Sequence, residues 1–250
     1  MAHQAVNGIV LRYANYKDND RMLTLFTQEQ GRVDAAAYGC RRQKSPLLVC
    51  AQPFVFGEFQ LFGGKGRNSV TQCDVRETFY PLREDMAKFQ TAAMMNAVCA
   101  QVVQEDEPNL PLFSLLYHSL SFLCYGEVVP IDMALCFLLR FFQTTGVCPA
   151  ITACAICAAD VRQEKVIAFS PLAGGAVCTA CAQSRHVTLG ASALTLEAMR
   201  RILFMSDADM GNVRLPARVR QELFELVNAY GQHYFEREHR QISGLRTLIL

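Results

Sequence analysis

Three observations predict an α+β protein of several parts. Five short β-rich runs lie within the first eighty residues, helical periodicity takes over after Pro81, and two C-x-x-C pairs interrupt the helices between residues 150 and 182. The expected organisation is a β-barrel over 1–80, a helical domain in two parts over 81–149 and 183–250, and a four-cysteine module over 150–182 inserted between them.

The strands come first. Gly8 to Tyr13 is β-rich, NYKDND from Asn15 to Asp20 is turn chemistry, and Met22 to Thr27 resumes the strand pattern before a turn at Gln30 and Gly31. Val33 to Tyr38 makes a third strand. After a loop from Gly39 to Pro53, Phe54 to Phe62 and Val70 to Phe79 form a hairpin across the glycine-rich GGKGRN. Thr71, Cys73 and Val75 alternate with Gln72, Asp74 and Arg76, as a strand with one buried face requires. Five short strands in this length predict a small barrel, and the OB-fold is the five-stranded barrel that commonly takes oligonucleotides.

Pro81 then opens a helical region, where its missing amide proton costs nothing. Arg83 to Gln104 reads as a helix with Phe89, Ala93 and Val98 on its apolar face. Leu112 to Tyr125 and Ile131 to Thr145 are two more, each so apolar that it needs a partner, and they are expected to pack together. Their combined stretch, Leu110 to Phe142, is broken by His118, Glu127, Pro130, Asp132 and Arg140, so it reads as buried helices and not as a bilayer span of ~20 apolar residues. Helical periodicity returns at Ser192 to Met205, with Ser192 as N-cap, and at Ala217 to Glu238.

The net charge of +1 hides a gradient: residues 1–80 carry +3, residues 81–150 carry −4 and residues 151–250 carry +2. A basic front and an acidic middle exclude a uniformly basic chain while leaving the barrel attractive to polyanions. MAHQAVNGIV has neither a basic flank nor a long apolar run, so it does not read as a signal peptide, and a cytoplasmic location follows as the expectation. In a reducing compartment eleven cysteines do not form a disulfide framework.

CAIC, Cys154 to Cys157, is echoed by CTAC, Cys178 to Cys181, after twenty intervening residues. Two such pairs at this spacing supply the four sulfurs of a tetrahedral zinc site, and a closed four-sulfur site is structural because it has no vacancy for water. A thioredoxin-type dithiol needs one pair near a βαβ pattern, and ferredoxin clusters use other spacings. Four thiolates around Zn²⁺ leave a charge of −2, which Arg162, Lys165 and Arg185 are placed in sequence to offset, and His186 is the one nearby substitute ligand.

CRRQK places Arg41, Arg42 and Lys44 within five residues, and Lys65 and Arg67 sit in the GGKGRN turn. Cations on loops beside a barrel attract phosphate, and Tyr13, Tyr16 and Tyr38 are candidates for stacking on bases. The competing readings are a solvated loop for the cations and core packing for each tyrosine. No Walker loop, GxSxG or carboxylate cluster suggests catalysis or a small-molecule substrate.

GIVL at Gly8, D-x-x-L-T-L-F-T from Asp20, GCRRQKS from Gly39, QPF from Gln52, LRED from Leu82, CAIC, and FSPLAGG leading into CTAC occur in one order along the chain. In these motifs the sequence resembles the RecO family of bacterial recombination mediators over essentially its whole length. The resemblance implies an N-terminal OB domain, a helical domain and an inserted four-cysteine zinc module. It also implies binding of single- and double-stranded DNA, annealing of complementary strands, and work with RecR to load RecA onto DNA coated by single-strand-binding protein. The family is not known as enzymes. Its basic loop falls on Arg41, Arg42 and Lys44, and its metal ligands on Cys154, Cys157, Cys178 and Cys181. A docking groove for the tail of single-strand-binding protein is implied in the helical domain, with Arg140 a candidate for the tail's carboxylate and an interhelical cation as its other reading. The chain departs from the family at Ala158, where a glycine commonly follows the first pair.

Overall fold

The computed structural model describes residues 2–63, 68–162, 167–183, 189–236 and 238–249. Lys65, Arg67, Lys165, Arg185 and His186 therefore lie outside the described residues. The chain forms two compact units, Met1–Tyr125 and Gly126–Leu250.

The first unit is built on five strands: β1 (Ala2–Tyr16), β2 (Asp20–Thr27), β3 (Gly31–Ala37), β4 (Phe56–Gly63) and β5 (Asn68–Glu77). They close into a barrel in the order β1-β2-β3-β5-β4, with β4 returning to β1, as in an OB-fold. β1 extends well beyond the predicted Gly8 to Tyr13 because it serves two neighbours. Ala2 to Ile9 pairs with β4 and Gly8 to Tyr16 with β2. Its polar N-terminal half, with His3, Gln4 and Asn7, masks the alternation that marks a strand. Closure is thinnest between β3 and β5, where the described residues give two parallel register pairs, Ala35 with Asn68 and Ala36 with Ser69. The segment 38–55 covers the barrel beside them and sinks Cys40, Leu47, Cys50, Ala51 and Val55 into its core.

A 3₁₀ turn, Tyr80–Arg83, contains Pro81, and helix α1 (Met86–Val102) starts only after Asp85, whose carboxylate accepts from the Ala87 and Lys88 amides at 2.8 and 3.0 Å. Of the predicted apolar face of α1, Val98 is fully buried and Phe89, though 39% exposed, meets Phe54 edge-on with ring centroids 5.7 Å apart. Ala92, Met95, Asn96 and Cys99 are buried as well. Asn96 is the polar member of this buried set: its amide donates to the Val10 and Leu11 carbonyls at 3.1 and 2.9 Å, where a bulge between Val10 and Arg12 interrupts the ladder to β2. α2 (Leu110–Tyr125) packs Phe113 edge-on against Phe26 and Phe56, and Tyr117 against Phe56 and Phe79.

The second unit centres on α3 (Pro130–Thr144), whose residues from Ile131 to Leu139 are all buried. Its partners are α5 (Ala193–Phe204) and α6 (Ala217–Tyr234), so each of the two most apolar helices, α2 and α3, finds packing partners inside its own unit. Ser192 caps α5 as expected, accepting from the Thr195 amide at 3.2 Å. Phe142 meets Tyr230 and Tyr234 edge-on. A short α7 (Arg240–Gly244) follows. No helix among the described residues is long and apolar enough to cross a membrane.

Between α3 and α5 lies the cysteine module, with three short strands the sequence did not signal: β6 (Ile167–Ser170), β7 (Gly175–Val177) and β8 (Leu189–Ala191), ordered β7-β6-β8, and a one-turn helix α4 (Thr179–Ala182). Gly175 joins this sheet to the helices. A Cβ there would meet the Ala150 carbonyl oxygen at 2.2 Å, and only without one can the flanking amides and carbonyls of Gly174 and Ala176 pair with Ala150 at 2.9 and 2.7 Å.

Candidate nucleic-acid interface and metal centre

The loops at the far end of β1, β2 and β3 meet. Asp20 accepts from the Gly39 amide at 2.7 Å, and the Asn19 carbonyl accepts from the Arg41 amide at 3.0 Å, so the turn after β1 holds the start of the basic loop. Gly39 adopts φ +66°, which lets the chain reverse there. Buried Cys40 and Leu47 anchor the loop from below. Between them Arg41, Arg42 and Lys44 are exposed, and none forms an ion pair among the described residues. Tyr38, at 57% exposure, precedes them.

Register brings in two cations the sequence reading passed over. The Arg21 guanidinium lies over the Tyr13 ring, 3.8 Å from its centroid, and donates to the Ala51 carbonyl at 2.7 Å, tying the far end of segment 38–55 to β2. Lys17 sits 5.2 Å over Tyr16 in the turn between β1 and β2. The signal available was the NYKDND turn itself, flanked by a tyrosine before and an arginine after. This end of the barrel thus joins Lys17, Arg21, Arg41, Arg42 and Lys44 with half-exposed Tyr13, Tyr16 and Tyr38, against the carboxylates of Asp18 and Asp20. Such a surface draws phosphate and offers ring faces for unpaired bases.

In the second unit the Sγ atoms of Cys154, Cys157, Cys178 and Cys181 all lie within 4.8 Å of one another. All four are free thiols, and Cys157 and Cys178 are 3.7 Å apart, well beyond the ~2.05 Å of a disulfide. Four sulfurs each ~2.3 Å from a common centre sit ~3.8 Å apart in a tetrahedron. The local chain builds the cage. The Ala158 amide closes a turn on the Cys154 carbonyl at 2.9 Å, and Cys178 stands at the N-terminus of α4. The Cys154 sulfur accepts from the Ile156 and Cys178 amides at 3.5 and 3.4 Å. Burial opposes a charge on this sulfur, but these amide donors outweigh it and hold Cys154 down at about 6. Cys181 goes the other way, pushed up to about 12 by sharing hydrogen bonds with Cys178 and Cys157. Four thiolates this close need a cation among them, so the donor set fits a thiophilic metal ion.

Ala158 has φ +60°, the left-handed conformation in which a Cβ is strained. Ala158→Gly is expected to stabilise the module by about 0.5–1 kcal/mol, read as a higher midpoint of metal release under chelator. Arg162 spends its guanidinium on Asp160, with Nη2 2.6 Å from Oδ2, and both side chains are exposed. Arg140 donates to the Met205 carbonyl at 2.9 Å and pairs with Asp207, its side chain 16% exposed.

The sequence matches the family profile described as Recombination protein O C terminal over residues 83–241, well over half the chain, and Recombination protein O N terminal over residues 1–79. The chain belongs to the RecO family. A protein of Symbiobacterium thermophilum named DNA repair protein RecO is 30% identical over 252 residues, covering 99% of this chain and 98% of that one. A namesake in Acetivibrio thermocellus is 28% identical over 248 residues, with 99% and 98% covered, and one in Pelotomaculum thermopropionicum is 30% identical over 239 residues, with 96% and 92% covered. The RecO family models thus span both the barrel and the cysteine cluster, the two places where charge and thiols gather.

Proposed function

We propose that this chain is a DNA repair and recombination mediator of the cytoplasm that binds single- and double-stranded DNA through the β1–β2–β3 end of its barrel. It anneals complementary strands and, with RecR, helps load RecA onto DNA coated by single-strand-binding protein. The observation that carries the reading is the exposed trio Arg41, Arg42 and Lys44, free of ion pairs among the described residues, beside Tyr38 on a loop anchored by buried residues. Fixed cations that neutralise phosphates on two strands lower their mutual repulsion, and annealing then needs no covalent chemistry and no catalytic group. Lys65 and Arg67 belong to the same proposed surface by sequence. Cys154, Cys157, Cys178 and Cys181 would hold one Zn²⁺, whose bound state supplies cross-linking of the module and no open coordination position. For the acidic tail of single-strand-binding protein, Arg140 remains the candidate; a tail carboxylate there would displace Asp207 from it.

The test is binding and annealing of oligonucleotides across a salt series, with and without single-strand-binding protein. Arg41→Ala with Arg42→Ala is expected to weaken binding to all sequences alike and to lower the slope of log affinity against log salt by about 1.4–1.8, at 0.7–0.9 per phosphate contact. An unchanged slope removes this loop from the interface. Absence of DNA binding at low salt with RecR binding retained would replace the reading with that of a protein adaptor.

A further inference from the structure

Two aspartates flank Asn19, whose carbonyl accepts from the Arg41 amide, and they differ in what they hold. Asp18 is exposed and forms no hydrogen bond or ion pair among the described residues. Asp20 is half-buried, and its carboxylate continues a ladder that the backbone leaves off. Pairing between β2 and β3 ends where Ala37 faces Arg21, and just beyond it Asp20 Oδ1 accepts from the Gly39 amide at 2.7 Å. Arg21 holds the Ala51 carbonyl at the other end of the segment, also at 2.7 Å. Two adjacent residues of β2 thus grip both ends of the stretch that carries Arg41, Arg42 and Lys44. From Gly39 the chain turns tightly, the Arg42 amide returning to the Gly39 carbonyl at 3.1 Å and the Ser45 amide to the Arg42 carbonyl at 2.9 Å, so the placement of Gly39 passes to all three cations.

A carboxylate on a face that attracts phosphate repels the same ligand. On charge alone, removing either aspartate should therefore tighten binding. We infer, resting on the proposal that Arg41, Arg42 and Lys44 contact phosphate, that Asp20 is a positioning residue for nucleic-acid binding: its bond to Gly39 fixes the basic loop, and this gain outweighs the repulsion of its own charge. A loop already fixed loses less freedom when a strand binds, so more of each cation's attraction is expressed as affinity. The bond needs an acceptor at that place and not a charge, and an asparagine oxygen of the same shape also accepts.

The experiment measures binding of a fluorescent single-stranded oligothymidylate, at one low salt concentration, to the full metal-loaded chain and to Asp18→Ala, Asp20→Ala and Asp20→Asn. The two alanine variants make the same change in net charge and are expected to move in opposite directions. Asp18→Ala should bind about twofold tighter, the scale of one exposed charge contact. Asp20→Ala should bind about tenfold more weakly, the scale of ordering one or two more side chains, with its Gly39 amide exchanging at least about tenfold faster. Asp20→Asn should bind at least as tightly as the unsubstituted chain. Asp20→Thr, which suits the start of a strand and carries its oxygen one bond short of the Gly39 amide, replaces Asp20→Ala if that variant does not fold. Binding by Asp20→Ala as tight as by Asp18→Ala overturns the inference, as does weak binding shared equally by Asp20→Asn, or weak binding with Gly39 exchange unchanged. Failure of the underlying DNA-binding surface looks different, because Arg41→Ala with Arg42→Ala then leaves affinity unchanged as well.

Discussion

Cys154→Ser is expected to release the metal and unfold the cysteine module, with β6, β7 and α4 losing protection from hydrogen exchange while β1 to β5 keep theirs. The module has few resources besides its cluster. Its strands are three or four residues long and α4 has four residues, well below the length at which a helix or hairpin stands alone in water. Metal binding to sites of this kind contributes on the order of 10 kcal/mol of folding free energy. Serine cannot supply a thiolate, and Cys154 is the cluster sulfur whose charge the backbone prepares, through the Ile156 and Cys178 amides. A chelator acting on the unsubstituted chain should give the same exchange pattern. Acid should do so as well. The folded value of Cys154, about 6, lies below that of an ordinary thiol, so its contribution is complete above the ordinary value near 9 and is lost as pH falls through about 6. Full metal content and unchanged exchange in Cys154→Ser would show that Cys154 is not a ligand.

Asp132→Ala should be the most damaging single change in the second unit, at about 3–5 kcal/mol. Asp132 is fully buried on α3 and grips Arg220 of α6 with both oxygens, Oδ1 2.6 Å from Nε and Oδ2 3.0 Å from Nη2, while also accepting from the Leu215 amide at 3.0 Å. Removing it leaves a largely buried guanidinium without its counter-charge and an amide without an acceptor. Arg220→Met with Asp132→Leu should recover much of the loss, because the cost lies in the abandoned charge and not in the absence of the pair. Thermal unfolding of the full chain would show a fall of roughly 10 °C for the single variant. A shift of only a degree or two would mean that solvent already reaches this pair.

The barrel was legible because turn chemistry between short β-rich runs and the alternation along β5 are local signals, and the four-cysteine cluster because its thiols come as two short pairs whose spacing survives in one dimension. What escaped the sequence depends on register. Arg21 faces Tyr13 only because β1 and β2 pair with Asn15 opposite Arg21 and Tyr13 opposite Leu23. Asn96 reads as a polar interruption in α1 until the bulge at Val10 brings the Val10 and Leu11 carbonyls within its reach. The strands of the cysteine module stayed hidden because three residues are too few to alternate. Arg140 reads from sequence as a cation on an apolar helix; its pairing with Asp207 spans sixty-seven positions and has no local trace.

The bond from Asn96 to the first strand also determines where the polypeptide can be cut. A fragment ending after the fifth strand would take the Asn96 donor from the Leu11 carbonyl, leave the Val10 carbonyl with the Phe54 amide alone, and bare Phe26 and Phe56 to solvent, so it should be sticky and poorly folded on its own. Extending the same fragment to Tyr125 retains both helices that cover these groups, making that the shortest stretch in which the barrel's own contribution can be measured separately.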